Sequence, residues 1–439
     1  MTSYHLYSIE RTGSFMLQTI LEQLKEKQIT TYLIKESKTQ TAELFFIRKR
    51  LDMRREKDVT EYSITVYHDF VKENTNMRGS SSITLPAGMT ASEIGDKLAS
   101  AYYAAGFVCN PFYELPEGSD RKPSLTDSQI SHKTLEESAS IMTEALFHYD
   151  TDETTFLNSA ELFLNRKDTR IVNSQGIDVS FITYEAKGEF VAQCTTPADV
   201  ETYKSFSYDD LNTDELKEKV KAALEMTRAR AKACTAPAAG TYSVILSDSY
   251  VKTFFSYYIA RANAAMIYPK YSSYSVGTNV QGENVTGETL NITLKPIAPY
   301  SEEGIFMTER PLLLDGTLKT IHGDSRFCRY LNEEPTGSYR GILVKPGTTS
   351  LSEMKAKPYL HIVNFSDFQM DAFTGHFGGE IRLAFLYDGN SITPVTGGSI
   401  NGSILDCQKN MIFSSEEQTE RDFCGPAAIL LSNIPVAGV

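Results

Sequence analysis

A run of strict alternation toward the end of the chain constrains its folding more than any other feature. From Asp371 to Ser403 the sequence reads DAFTGHFGGEIRLAFLYDGNSITPVTGGSINGS. Ile381, Leu383, Phe385 and Tyr387 fall on one side; Glu380, Arg382, Ala384 and Leu386 fall on the other. A two-residue period is that of a β-strand with one inward face. Asp388-Gly389 supplies a tight turn, and Ser391 to Val395 runs back as a second arm. Pro394 has no N–H for a ladder, so that arm ends there or lies at an edge. Gly375 with Gly378-Gly379 precedes the hairpin and Gly397-Gly398 with Gly402 follows it, marking backbone that only glycine adopts cheaply.

At 439 residues the chain exceeds one ordinary core, so two domains are expected. We place the boundary where a long helix, Thr213 to Cys234, runs into Pro237 and Gly240, giving residues 1–236 and 237–439. The first part reads as α+β. A helix is predicted over 13–28 from the spacing of Met16, Leu17, Ile20, Leu21 and Leu24. Strands are predicted at Leu44 to Ile47 and Glu61 to Phe70, with a charged link between them. Capping boxes at Thr90/Glu93 and Thr134/Glu137 open two further helices, with a long loop over 110–133 between them. Phe156 to Leu164 and Ile177 to Thr183 read as strands, and Lys187-Gly188 as a turn into Glu189 to Gln193. The second part opens on a strand, Tyr242 to Leu246, then a helix predicted as Val251 to Ile267. Beyond Tyr271 it is strands and turns, closing on Ala427 to Ile434.

No apolar run reaches the about 18 residues of a membrane span, and the first residues show no signal-peptide pattern, so a cytoplasmic location is expected. The net charge of −13 disfavours binding to a phosphate backbone, although Arg48, Lys49, Arg50, Arg54, Arg55 and Lys57 form a local basic patch. The six cysteines are scattered, without a CxxC, which argues against a disulfide framework or zinc ribbon. No HExxH or HExxxH occurs, and no P-loop, GxGxxG or GxSxG. His376 and Glu380 are a poor ligand pair in a glycine-rich strand. His322, Asp324 and Ser325 have the residue types of a hydrolytic triad, but such roles come from separate elements. His68 reads as a strand histidine, and Glu302-Glu303 as a loop. The residues by themselves therefore indicate no catalytic residue, metal ligand or cofactor.

An ordered series of short segments resembles the TldD/PmbA family, known as modulators of DNA gyrase and later as peptidases. The segments are Asn173-Ser-Gln-Gly176, Gly240-Thr-Tyr-Ser-Val-Ile-Leu246, Glu303-Gly304, Asp315-Gly316, Thr336-Gly-Ser-Tyr-Arg340, Val344-Lys-Pro-Gly347, Thr374-Gly-His-Phe377, Gly398-Ser-Ile-Asn-Gly402 and Ile434-Pro-Val-Ala-Gly438. The resemblance implies an antiparallel sheet with helices first and a barrel-like antiparallel β domain after it. In the family's TldD-like branch the helix after the opening strand carries HExxxH and binds the metal of a peptidase. The corresponding stretch here, VKTFFSYYIARANAAMI, contains no His, Glu or Asp. The chain thus resembles the PmbA-like (TldE-like) branch. That branch implies a partner, the HExxxH subunit, and a joint role in processing or degrading unfolded peptides. Two rival expectations are an autonomous hydrolase built around His322 or His376, and a gyrase- or DNA-binding regulator acting through Arg48, Arg54 and Arg55.

Overall fold

The computed structural model describes residues 15–119, 121 and 128–438. The first residues of the chain, including the start of the 13–28 helix, and part of the 110–133 segment lie outside them.

Helix α1 (Phe15–Glu26) precedes three strands, β1 (Tyr32–Ile47), β2 (Arg50–Lys72) and β3 (Thr75–Pro86). Helices α2 (Ala91–Ala105) and α3 (Leu135–Leu146) follow, both opened by the capping boxes legible in the sequence. Then come β4 (Thr155–Asn173), β5 (Asp178–Cys194), β6 (Val200–Tyr208) and α4 (Thr213–Arg230). The six strands form one antiparallel sheet in the order β3-β2-β1-β4-β5-β6. Even-numbered residues of β1 face the helices. Ile34 joins the core under α1 and α2; Ala42, Leu44 and Phe46 join the core under α3 and α4.

The charged link after Ile47 is the end of an antiparallel hairpin, as expected: Ile47 pairs with Arg50, and the charged residues form the outer half of β2. One local expectation is corrected here. Lys187-Gly188 is not a turn, because β5 runs on to Cys194 and Gly188 pairs with both Leu162 and Phe206. A Cβ on Gly188 would lie 2.2 Å from the Glu161 carbonyl oxygen, so the glycine serves close packing across the sheet. Strand β6 is an element the sequence reading left out.

From β7 (Gly240–Ser247) the chain enters α5 (Ser249–Arg261). The predicted helix to Ile267 is two pieces, since the chain breaks after Arg261 and restarts as α6 (Ala264–Ile267), capped by Asn263. Next come β8 (Ile292–Lys295), β9 (Arg310–Leu314), β10 (Thr317–Leu318), α7 (Ser325–Tyr330), β11 (Gly341–Val344) and α8 (Leu351–Met354). The chain continues through β12 (Tyr359–Met370), β13 (His376–Tyr387), β14 (Ile392–Val395), β15 (Ser399–Ser403) and α9 (Ile404–Cys407). It ends with β16 (Ile412–Phe413), β17 (Glu417–Glu420), β18 (Phe423–Pro426) and β19 (Ala428–Ala437).

Five of these strands close on themselves. β12 pairs with β7, β7 with β19, β19 with β15, β15 with β13, and β13 with β12. The β12–β7 pair is parallel and the other four are antiparallel. Closure removes free sheet edges. β14 hangs on β13 at the end of the strand order, the edge that Pro394 requires. β8 to β11, β17 and β18 make a separate six-stranded sheet in the order β10-β9-β8-β11-β18-β17. The fold is therefore α+β, with an antiparallel sheet under helices followed by a closed, barrel-like β structure.

Candidate functional site

Helix α5 lies between the barrel and the second sheet. Phe254 meets Phe377 of β13 edge-on at 5.3 Å, and Phe255 meets Phe423 of β18 at 6.4 Å and Phe413 of β16 at 5.3 Å. Phe254, Phe255 and Tyr258 are fully buried, and the Tyr258 hydroxyl donates to Gln408 Oε1 at 3.1 Å. These aromatics are core. Among the polar side chains of the helix, Lys252 Nζ donates to Asp422 at 2.5 Å. With hydroxyls, one ammonium and one guanidinium but no imidazole or carboxylate, α5 does not fit a zinc ion. Among the described residues no group of three or more His, Cys, Asp or Glu is placed to hold a metal.

Of the histidines singled out from sequence, His322 and His68 are held in packing contacts. His322 is buried. Its Nδ1 accepts from the Tyr339 N–H at 3.2 Å, so Nε2 carries the proton and donates to the Ile259 carbonyl at 2.9 Å. That carbonyl lies in the last turn of α5, where intrahelical partners run out. Burial pushes the His322 pKa down to about 4, so the ring is neutral. With both nitrogens on main-chain groups it cannot act as base for Ser325. Ser325 instead donates from N and Oγ to Glu303 Oε2, at 2.8 and 3.0 Å, and Asp324 caps α7. His376 is exposed beside a turn held by Asp371, whose carboxylate accepts from the Phe373 N–H and from Thr374 Oγ1. His68 stacks on Tyr102, with ring centroids 4.5 Å apart.

Glu302 and Glu303 part company. Glu302 is exposed and pairs with Lys35, while Glu303 turns inward to Ser325, and burial raises its pKa. The basic patch on β2 is matched by acids. Arg54 meets Glu56 and Glu136, Arg55 and Lys57 share Glu43, and Arg50 meets Asp52. A charged, ion-paired outer strand is what keeps an exposed edge from pairing with other chains.

A large cleft lies elsewhere, between β6 and the barrel. It encloses about 940 Å³. One wall is β6 with the end of α4; the other is β12 and β13; the floor is the β7–α5 junction. β12 is bulged where it lines the cleft, with register breaks between Ile362 and Phe368. Bulges of this kind re-aim side chains at functional surfaces. At the floor Asp248 adopts φ +58°, ψ −143°, a strained conformation for a non-glycine residue. Its carboxylate accepts from Lys204 Nζ of β6 at 2.6 Å and from Lys219 Nζ of α4 at 3.4 Å. Lys219 also meets Glu420 at 2.8 Å. Burial works against the charged carboxylate, but the two ammonium groups outweigh it and hold its pKa far below the usual range.

The open side of β6 is sealed against strand addition. The Glu201, Ser205 and Ser207 carbonyls accept from Arg230, Lys219 and the Arg421 N–H. Neither β6 nor Asp248 was singled out in the sequence. The alternation of Val200, Thr202, Lys204, Phe206 and Tyr208 was there to be read, with an inward lysine disguising it. Nothing local marks Asp248, since its partners lie far off in the chain.

A closed barrel holding a helix just after its opening strand, behind an antiparallel sheet under helices, defines a recurrent class of protein. Residues 239–438 match the model of the PmbA/TldA metallopeptidase C-terminal domain. Over these residues the chain carries the C-terminal domain of the PmbA/TldD family, which bears out the resemblance read from the sequence. Among solved structures, TldE from Thermococcus kodakarensis superposes with a TM-score of 0.76 at 13% identity, over 96% of this chain and 100% of that one. A candidate DNA gyrase modulator from Bacteroides thetaiotaomicron gives 0.76 at 15% identity, over 97% and 100%. Another from Thermotoga maritima gives 0.75 at 15% identity, over 96% and 99%. At these identities the structural likeness establishes the fold. Among curated proteins no sequence matches.

Proposed function

We propose that this chain is the metal-less, TldE-like subunit of a TldD/PmbA-type peptidase system. It pairs with an HExxxH subunit and helps hold unfolded peptides for cleavage in the cytoplasm. The observation carrying this reading is α5: it follows the opening strand of the family domain, yet core aromatics occupy the face where a metal helix would need imidazoles. The likeness to TldE supports the branch, and the cleft beside β6 supplies a place for a peptide. In the same reading the chain divides into domains at 1–236 and 237–439. Among the described residues no helix is long and apolar enough to cross a membrane.

The test is co-purification with the HExxxH homologue of the same organism, followed by peptide cleavage with and without this chain. A stable pair whose activity needs both chains is expected. Two monomers in the mixture, with full activity from the homologue alone, would overturn the proposal. The rival of a hydrolase at His322 loses its base to two main-chain hydrogen bonds, and the DNA-binding rival loses most of its free cations to ion pairs.

A further inference from the structure

The cleft between β6 and the barrel has an unusual charge arrangement. Three of its acids are held in place by neutral side-chain amides. Asp199 accepts from Gln193 Nε2 at 2.7 Å, Glu201 from Asn158 Nδ2 at 3.0 Å, and Asp367 from Gln369 Nε2 at 2.9 Å. Asp248 holds Lys204 and Lys219. Two guanidinium groups line opposite walls. Arg230 projects from the last turn of α4 and, among the described residues, has no carboxylate within ion-pair reach; its guanidinium donates to the Glu201 main-chain carbonyl. Arg382 projects from β13 and meets Glu380 at a loose 3.7 Å, and that carboxylate is 69% exposed and also accepts from Ser366. The two guanidiniums act on each other: burial and then Arg382 lower the Arg230 pKa, against a smaller opposing pull from the Glu201 carboxylate. Like charges turned toward one cleft are unfavourable unless an anion lies between them. Guanidinium forks suit a carboxylate in particular. Beside them Tyr203, Tyr250 and Phe368 give the cleft an aromatic lining, with Tyr203 56% exposed. Because the β6 edge is sealed, a ligand here is held through side chains and not by added strand pairing.

We infer that Arg230 and Arg382 together capture the terminal carboxylate of a peptide chain, with its last side chain against the aromatic wall. This rests on the peptide-handling role proposed above and adds an end-specific anchor to it. Arg230 arises from the first part of the chain and Arg382 from the barrel, so the pair forms once the two are packed together.

The experiment measures binding of a short, unstructured fluorescent peptide ending in phenylalanine to the full chain, as the free acid and as the carboxamide. The free acid should bind about tenfold or more tightly, the scale of one lost charge-assisted contact. Arg230→Gln with Arg382→Gln should abolish that preference, leaving the two forms equal. Arg382→Gln alone, at an exposed side chain, keeps the test independent of folding and should remove part of the preference. Equal binding of acid and amide by the wild-type chain, or a preference that survives the double substitution, overturns the inference while pairing with the HExxxH subunit can still stand. An amide with an internal glutamate that binds as tightly as the free acid also overturns it, placing recognition at a side chain. If neither peptide binds, the inference falls; if pairing fails as well, the proposed function falls with it.

Discussion

Replacing Asp248 by Asn removes one charge and almost no volume. The side chain is 26% exposed, and its partner Lys204 is 8% exposed. Among the described residues Lys204 has no second carboxylate within ion-pair reach, whereas Lys219 keeps Glu420. The variant therefore strands one nearly buried ammonium. Losing one member of a buried ion pair costs about 3–5 kcal/mol. Because the cleft admits water to Lys204, the low end, about 3 kcal/mol, is expected. The double variant Asp248→Asn with Lys204→Met removes both charges and should cost markedly less than the two single losses added together. The assay is urea unfolding followed by tyrosine fluorescence and circular dichroism, the chain having 24 Tyr and no Trp. The pH dependence gives an independent readout. The folded carboxyl has a depressed pKa, so its contribution is complete above about pH 4–5, where the unfolded carboxyl is ionised. It is lost progressively as pH falls below that range, and the Asn variant should lack this component. A single-variant cost below about 1 kcal/mol, or a double-variant cost equal to the sum of the singles, refutes the reading of Asp248 as the buried partner that ties Lys204 of β6 to the β7–α5 junction.

Three further outcomes follow from the same physics. Phe255→Ala empties a fully buried site between Phe413 and Phe423 and should cost about 3–5 kcal/mol in the same denaturation assay. His322 and His361 are held neutral by burial, with pKa values pushed down to about 4 and about 3. Unfolded histidine protonates near pH 6.5, so stability is complete above that value and falls as pH drops through the window between, by up to about 1.4 kcal/mol per pH unit for each ring; His361→Gln should reduce the slope measured by thermal melts between pH 6.5 and 4. Gly375 has φ +77°, and a Cβ there would sit 2.8 Å from Ile404 Cγ2; Gly375→Ala should lower stability by at least about 1 kcal/mol, and an unchanged melting curve would remove the conformational explanation for that glycine.

Much of the fold was legible because its signals are local. The capping boxes at Thr90 and Thr134 opened the helices they announced, since a hydroxyl and a carboxylate three residues apart meet their partners within one turn. The hairpin of β13 and β14 read correctly from its two-residue period and its Asp-Gly turn. The errors arose where a local rule met a tertiary demand. Gly188 looked like a turn, and is a flat passage between two strands. The 251–267 helix looked continuous, and it breaks after Arg261, where His322 and Tyr339 come in to bridge its end.

The same division holds for the site. Sequence alone determined that α5 carries no metal-binding side chain, because ligand chemistry belongs to residue types and needs no fold to be read. It also determined the alternation that makes β13 a barrel strand. Only the tertiary structure decided that Lys204, Lys219 and Asp248 share one carboxylate, and that Arg230 and Arg382 face one cleft. Those contacts join residues tens to more than a hundred positions apart. Coulomb interaction depends on distance in space, and chain order does not encode that distance until the barrel has closed and packed against the first sheet.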